Sequence, residues 1–371
     1  MTFSVMTFRI VTFRIIRALA VAFLALAASS AFGQTKWQNQ REDDFLIKDF
    51  RFKSGETLAE LKLHYTTLGT PKRNAAGDIT NAVILLHGTS SDGKAWLMPS
   101  LADELFVVGA PLDASQYFIV LPDGIGRGGS SKPSDGLRAK FPHYRYDDIV
   151  ASEYRLITEG LGIKHLRLVM GSSMGGMHTW MWGYTYPDLM DGLIPIASQP
   201  IEISGRNWMQ RRIAIEAIRQ DPGWNNGNYE KNPTQWTVTA PYGFLQTENV
   251  VQIQAMAPTR EAGDELYRRL LAEAKKRDAN DTLWGIEAVM DYNPSPHLGQ
   301  IKARLMAVNS GDDEANPARL ASTAREIARI PGAKYVLIPA SEQTHGHFTH
   351  LRAAFWKAYV AEFMKELPPQ M

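Results

Sequence analysis

The chain has 371 residues, 44% of them hydrophobic, which is enough for one large core plus an insertion. Its 40 Lys and Arg against 39 Asp and Glu leave a formal net charge of +1, which argues against a nucleic-acid partner, because such partners demand a clustered basic surface. The absence of cysteine excludes disulfides, a thiol nucleophile and thiolate metal sites. In chain order, Arg9, Arg14 and Arg17 come first, followed by an apolar run over 18–28 and then by Ser29, Ser30, Ala31, Phe32 and Gly33. A basic stretch, a short apolar run and small residues are the layout of a secretory signal peptide over 1–33, cleaved after Ala31 or Gly33. The run is well short of the roughly 20 residues that span a bilayer. The expected product is therefore periplasmic or secreted, with no stable membrane insertion after cleavage; a retained N-terminal anchor is the alternative.

Two extended runs, 45–52 and 58–67, flank Ser54-Gly55-Glu56 and predict a hairpin. Continuous apolar runs at 81–87, 117–121, 166–170, 193–197, 305–308 and 335–338 predict buried strands. Helical patterns separate most of them. One of these takes Asp147 as N-cap and aligns Val150, Tyr154, Ile157 and Leu161 on one face. Buried, unalternating strands interleaved with helices predict an α/β fold, a mostly parallel sheet covered on both faces, with the hairpin as its antiparallel edge.

From 199 to 301 the alternation stops. Trp208, Trp224, Trp236 and Trp284 lie here, with helical patterns over 211–220, 261–276 and 283–290. The stretch reads as an inserted helical cap that divides the core into 34–198 and 302–371. A cap excludes water from a reaction and shapes the substrate pocket.

The most informative stretch is Leu168-Val169-Met170-Gly171-Ser172-Ser173-Met174-Gly175-Gly176-Met177. An apolar strand ends in Gly-x-Ser-x-Gly, and Met174, Met177, Met181 and Tyr184 then recur at helical spacing. A strand–turn–helix bend of this kind presents one serine above the sheet, and the spacing selects Ser173 over Ser172. Gly171 and Gly175 fall where strand and helix leave no room for a Cβ. His178, on the same helix, reads as a core or surface histidine.

A serine hydroxyl is a weak nucleophile and needs a base that is itself oriented by an acid. The expected order is serine, acid, histidine. After the strand at 305–308, Gly311-Asp312-Asp313-Glu314-Ala315-Asn316-Pro317 offers two adjacent aspartates. Asp313 is the better placed relative to the strand end and Pro317, with Asp312 as the alternative. After the last strand, Gly346-His347 supplies the base. His345, His347 and His350 could instead group around a metal, but no carboxylate motif completes such a set, and no metal or cofactor is assigned. The N–H groups of Met174 and Thr89 are the candidates for an oxyanion hole. Gly124-Ile125-Gly126-Arg127-Gly128-Gly129 matches a dinucleotide fingerprint, yet Ser130-Ser131-Lys132-Pro133 reads as loop where that fingerprint needs a helix.

These residues resemble the α/β-hydrolase superfamily and, within it, the homoserine O-acetyltransferase-like branch. The resemblance covers nearly all of the chain beyond the leader, including Ser54-Gly55-Glu56-Thr57-Leu58, the Ser173 motif, Tyr186-Pro187-Asp188, Asp221-Pro222-Gly223-Trp224 and Gly227-Asn228-Tyr229. It implies the α/β-hydrolase fold, a Ser173–His347–Asp313 triad and acyl-ester chemistry. Two departures bear on the reaction. The transferases carry an aspartate after the histidine and a cap-helix arginine, which hold the homoserine amine and carboxylate; Phe348 and Ile215 stand at those positions here, with Arg211 and Arg212 one turn earlier. The expectation is an esterase-like hydrolase acting on a small-molecule ester in a pocket without charged handles for an amino acid. An O-acyltransferase using an acyl-CoA is the alternative, and a homodimer is compatible with either.

Overall fold

The computed structural model describes Trp37 and residues 39–369. The leader read at 1–33 lies outside the described residues. In chain order the strands are β1 (Arg41–Arg51), β2 (Thr57–Leu68), β3 (Ala82–Leu86), β4 (Phe118–Pro122), β5 (Leu166–Ser172), β6 (Met190–Ile196), β7 (Arg304–Ser310) and β8 (Lys334–Ile338). The α-helices are α1 (Pro99–Leu105), α2 (Tyr146–Arg155), α3 (Met174–Thr185), α4 (Gly205–Gln220), α5 (Ala240–Thr247), α6 (Val250–Met256), α7 (Arg260–Ala274), α8 (Ala279–Glu287), α9 (Ser322–Ile327) and α10 (Lys357–Glu366).

The strands form one eight-stranded sheet in the order β1-β2-β4-β3-β5-β6-β7-β8. β1 pairs antiparallel with β2, and β2 antiparallel with β4. Every pairing from β4 to β8 is parallel. This is an α/β-hydrolase fold. At the hairpin turn Gly55 takes φ +90°, and its N–H donates to the Phe52 carbonyl at 2.9 Å. β3, β4 and β5 are buried along their whole length, as unalternating apolar runs require.

Parallel strands all end on one side of the sheet. The order reverses around β3, whose neighbours are β4 and β5, and the crevice outside the carboxyl ends at such a reversal is where open α/β sheets hold their ligands. Thr89 follows β3, Ser173 follows β5, Asp313 follows β7 and His347 follows β8. Four distant stretches of sequence are thereby delivered to one edge.

One expected boundary shifts. α2 begins at Tyr146 with Arg145 as N-cap, and Asp147 lies inside the first turn. The carboxylate of Asp148 accepts from the Arg145 N–H at 2.7 Å and from the Lys53 N–H at 2.7 Å. Two backbone donors outweigh the local N-cap preference of Asp147 and draw the helix start back.

Between β6 and β7 the chain is helical, running through α4 to α8. α5 and α6 fall between the helices expected from the pattern. α6 buries none of its residues, and α5 buries only Pro241 and Gln246. Both are short, and their apolar residues, such as Leu245, Val250, Val251 and Met256, are spread around the helix instead of lining one face, which leaves no helical period to read.

Candidate active site

The bend after β5 is built from glycine and strain. Ser173 takes φ 56° and ψ −115°, outside the regions open to L-residues, at a cost of about 1–3 kcal/mol. Close packing enforces it. A Cβ on Gly175 would sit 2.1 Å from the Leu86 carbonyl oxygen, and one on Gly171 would sit 2.1 Å from that of Gly175. Both neighbours are backbone and cannot yield. α3 is buried from Met174 to Gly183, so the helix that pins the bend is itself locked in the core.

Ser173 Oγ lies 2.9 Å from His347 Nε2, and His347 Nδ1 lies 2.8 Å from Asp313 Oδ2. An ionised carboxylate only accepts, so Nδ1 carries the proton, and the bare Nε2 accepts from the serine hydroxyl. Burial alone would raise the Asp313 carboxyl, but its pairing with His347 and the hydrogen bonds of Asn316 hold it below the usual carboxylate range. The sequence motifs do not single out Asn316. Its side-chain amide donates to Asp313 Oδ2 and to the Ala197 carbonyl, both at 2.9 Å, and its N–H donates to Asp313 Oδ1 at 3.0 Å. Its position three residues after the aspartate, as in an Asx-type turn, is the available signal.

The two adjacent aspartates diverge. Asp312 Oδ2 accepts from Asn249 Nδ2 and Thr344 Oγ1, each at 2.8 Å, and from the Gly346 N–H at 3.1 Å. It meets the loop that carries His347, not the imidazole. The three histidines of that loop also part company: His345 Nδ1 lies 3.3 Å from Glu248 Oε2, and His350 stacks edge-on to His347 with centroids 5.0 Å apart.

Met174 is the first residue of α3, so its N–H has no acceptor within the helix. The loop after β3 touches the serine: a Cβ on Gly88 would lie 3.6 Å from Ser173 Cβ, and Thr89 is the next residue. His87 braces this loop. Its Nε2 accepts from the Gly124 N–H at 2.9 Å and its Nδ1 lies 2.8 Å from the Gly88 carbonyl, a pattern only the Nδ1-protonated neutral ring satisfies. Burial lowers its pKa, in keeping with that neutral form. The glycine run after β4 opens no helix; Gly126 and Gly128 take φ 83° and 50°, and Asp123 collects the Gly93 and Gly129 N–H groups.

Ser173 and His347 open onto a cavity of about 730 Å³. Its walls include Trp236 and Phe244 from the stretch between β6 and β7, together with Phe348. Phe244 and Phe348 pack with centroids 6.2 Å apart. One expectation needs correction. Ile215 faces the core, 1% exposed, but Arg127 and Arg211 both line the cavity, so cations do border the site. Arg211 Nε donates to Asn207 Oδ1 at 3.0 Å, whereas Arg212 pairs with Glu216. His178 is a core residue, 1% exposed, with Tyr146 edge-on at 4.5 Å. Burial holds its pKa down to about 3.

The family model described as alpha/beta hydrolase fold matches residues 81–350. A probable acyltransferase of Methanothermobacter thermautotrophicus is 29% identical over 79% of this chain and 89% of its own length. A homoserine O-acetyltransferase of Methanohalophilus mahii is 33% identical over 50% of this chain, a match that spans only 40% of that protein. Among solved structures, an acetylester hydrolase from Corynebacterium glutamicum superposes with a TM-score of 0.75 at 22% identity, covering 88% of this chain and 96% of that one. The chain belongs to the α/β-hydrolase fold family.

Proposed function

We propose that this protein is a serine-dependent hydrolase of carboxylic esters. Ser173 Oγ attacks the ester carbonyl while His347 Nε2 takes its proton, and Asp313 holds the imidazole in the required tautomer. The N–H groups of Thr89 and Met174 stabilise the tetrahedral oxyanion. His347 then gives the proton to the departing alcohol, leaving an acyl group on Ser173. Water, deprotonated by the same imidazole, releases the acid. The observation that carries this reading is the 2.9 Å contact from a strained, glycine-packed Ser173 to His347 Nε2. The acetylester hydrolase among the structural neighbours is consistent with it.

A second reading has two observations in its favour. Arg211 lines the cavity and can face a carboxylate, and named relatives transfer acyl groups to homoserine. Against it, Phe348 replaces the aspartate that would hold the homoserine amine, and an unpaired buried ammonium costs several kcal/mol. The apolar leader at 1–33 weighs the same way, because acyl-CoA donors are cytoplasmic. We take the protein to be exported and its helical stretch 199–301 to act as a cap over Ser173. One assay separates the two reactions: purified protein with a short neutral ester in water, and with acetyl-CoA plus homoserine. Ester cleavage without O-acetylhomoserine above background is expected. Saturable transfer to homoserine would overturn the hydrolase reading. Mass spectrometry of the exported protein tests the leader, with a mature N-terminus near Gln34 expected.

A further inference from the structure

The loop that carries His347 is tied to the helical stretch between β6 and β7 by a small polar knot. Asn249 is the N-cap of α6, its Oδ1 accepting from the Gln252 N–H at 2.8 Å. Its Nδ2 points the other way, to Asp312 Oδ2 at 2.8 Å and to the Thr344 carbonyl. The same Asp312 oxygen accepts from Thr344 Oγ1 and from the Gly346 N–H, the peptide immediately before His347. Gln252 Nε2 adds a bond to the Glu342 carbonyl at 2.7 Å. Contact is close as well as polar: Gly346 takes φ +55°, and a Cβ there would lie 2.7 Å from the Thr247 carbonyl oxygen. Asn249 is 8% exposed, so these bonds form away from bulk water, where losing a partner costs most.

α6 itself adds little apolar packing here. α6 buries none of its residues, and Val250 is 80% exposed. Beside the Phe244–Phe348 packing and the His345–Glu248 contact, the knot is the polar attachment that reaches the peptide before His347. Phe244 and Thr247, just before it, line the cavity that Ser173 faces.

We propose that Asn249 and Asp312 form a clasp that sets the register of His347 with Ser173, so that the base is aligned only while the helical stretch is seated. Both are positioning residues, and the adjacent aspartates divide the work: Asp313 orients the ring, Asp312 holds the backbone that carries it. This inference rests on the hydrolase reading for its kinetic consequence, though not for its structural one.

The test uses Asn249→Ser, which keeps an oxygen to cap α6 but lacks the amide that reaches Asp312, alongside Asn249→Ala and Asp312→Asn. On a neutral ester, Asn249→Ser should lose kcat about 10-fold or more with KM within about 3-fold, and should resemble Asn249→Ala. Hydrogen exchange read by mass spectrometry should speed up about 10-fold in the peptide spanning 342–351 and stay unchanged over α3. If Asn249→Ser matches wild type in both readouts while Asn249→Ala only melts earlier, the residue is a helix cap and the clasp is wrong. If the wild type cleaves no ester, the hydrolase reading fails, and the exchange experiment still decides the clasp.

Discussion

The bend around Ser173 and the helical stretch between β6 and β7 border the same cavity but are held by different forces. α3 is buried from Met174 to Gly183 and meets β3 and β6 backbone to backbone, whereas the sixteen-residue α4 buries only Ile215 and Ile218. Where α3 is packed on all sides, α4 to α7 bury few residues each, and α8 joins the core through Ala279, Leu283 and Trp284. Asn280 is a polar tether there, for its amide accepts from Trp224 Nε1 at 2.8 Å and donates to the Gly227 carbonyl at 2.8 Å. A close-packed element has one arrangement, and a polar-tethered one can shift as its bonds exchange with water. Ser173 therefore sits on the rigid side of the cavity, and the wall formed by α4, α5 and α7 on the adaptable side.

The largest effect should come from breaking the rigid side. Gly175→Ala forces a methyl against the Leu86 carbonyl and should destabilise by about 3 kcal/mol or more, read as a lower urea midpoint with lost activity. Next comes the acid. Asp313→Asn should cut kcat by roughly 10³–10⁴ by favouring the wrong imidazole tautomer, with the melting temperature little changed. Asp312→Asn, acting through the loop, should cost far less. The reverse ranking in steady-state kinetics would mean the acid was misassigned.

Those two aspartates also mark how far the sequence can be read. The eight strands, the bend and the strand-end loops that carry Ser173, Asp313 and His347 are legible because each rests on local signals: apolar runs, glycines, and turns at strand ends. The choice between Asp312 and Asp313 depends on spacing alone. What distinguishes them is the direction each carboxylate takes, toward His347 or toward Asn249 some 60 positions away in the chain, and no local pattern encodes that. The start of α2 is misplaced for the same reason, since Asp148 bonds to Lys53 from the β1–β2 hairpin turn. Arg127 goes unread as a cavity residue because it sits in a glycine loop that reads as mere turn.

A buried acid sharpens the contrast by pH. Glu153, 2% exposed behind α3, accepts from Trp182 Nε1 at 3.1 Å, and burial pushes its pKa up to about 8 from an ordinary 4.5. The folded state holds a proton that the unfolded chain releases, so the Glu153 contribution to stability should fall as pH rises from about 4.5 to about 8 and level off above. Glu153→Gln should remove that slope in thermal melts, and be the more stable protein at pH 8. A wild-type slope unchanged in the variant would assign it to another group. The smallest effect belongs to the adaptable side: Val250→Ser on α6 should change stability by no more than about 0.5 kcal/mol, as expected for an exposed site. A large loss there would mean that α6 is buried against something in solution.

The central claim is that Ser173 is a nucleophile activated by His347. Its most direct test is mass spectrometry of the protein after brief reaction with a fluorophosphonate, followed by mapping of the labelled peptide. One adduct on Ser173 is predicted, absent from Ser173→Ala and formed far more slowly in His347→Ala. An adduct on Ser172, or labelling of Ser173→Ala at the wild-type rate, would contradict the claim.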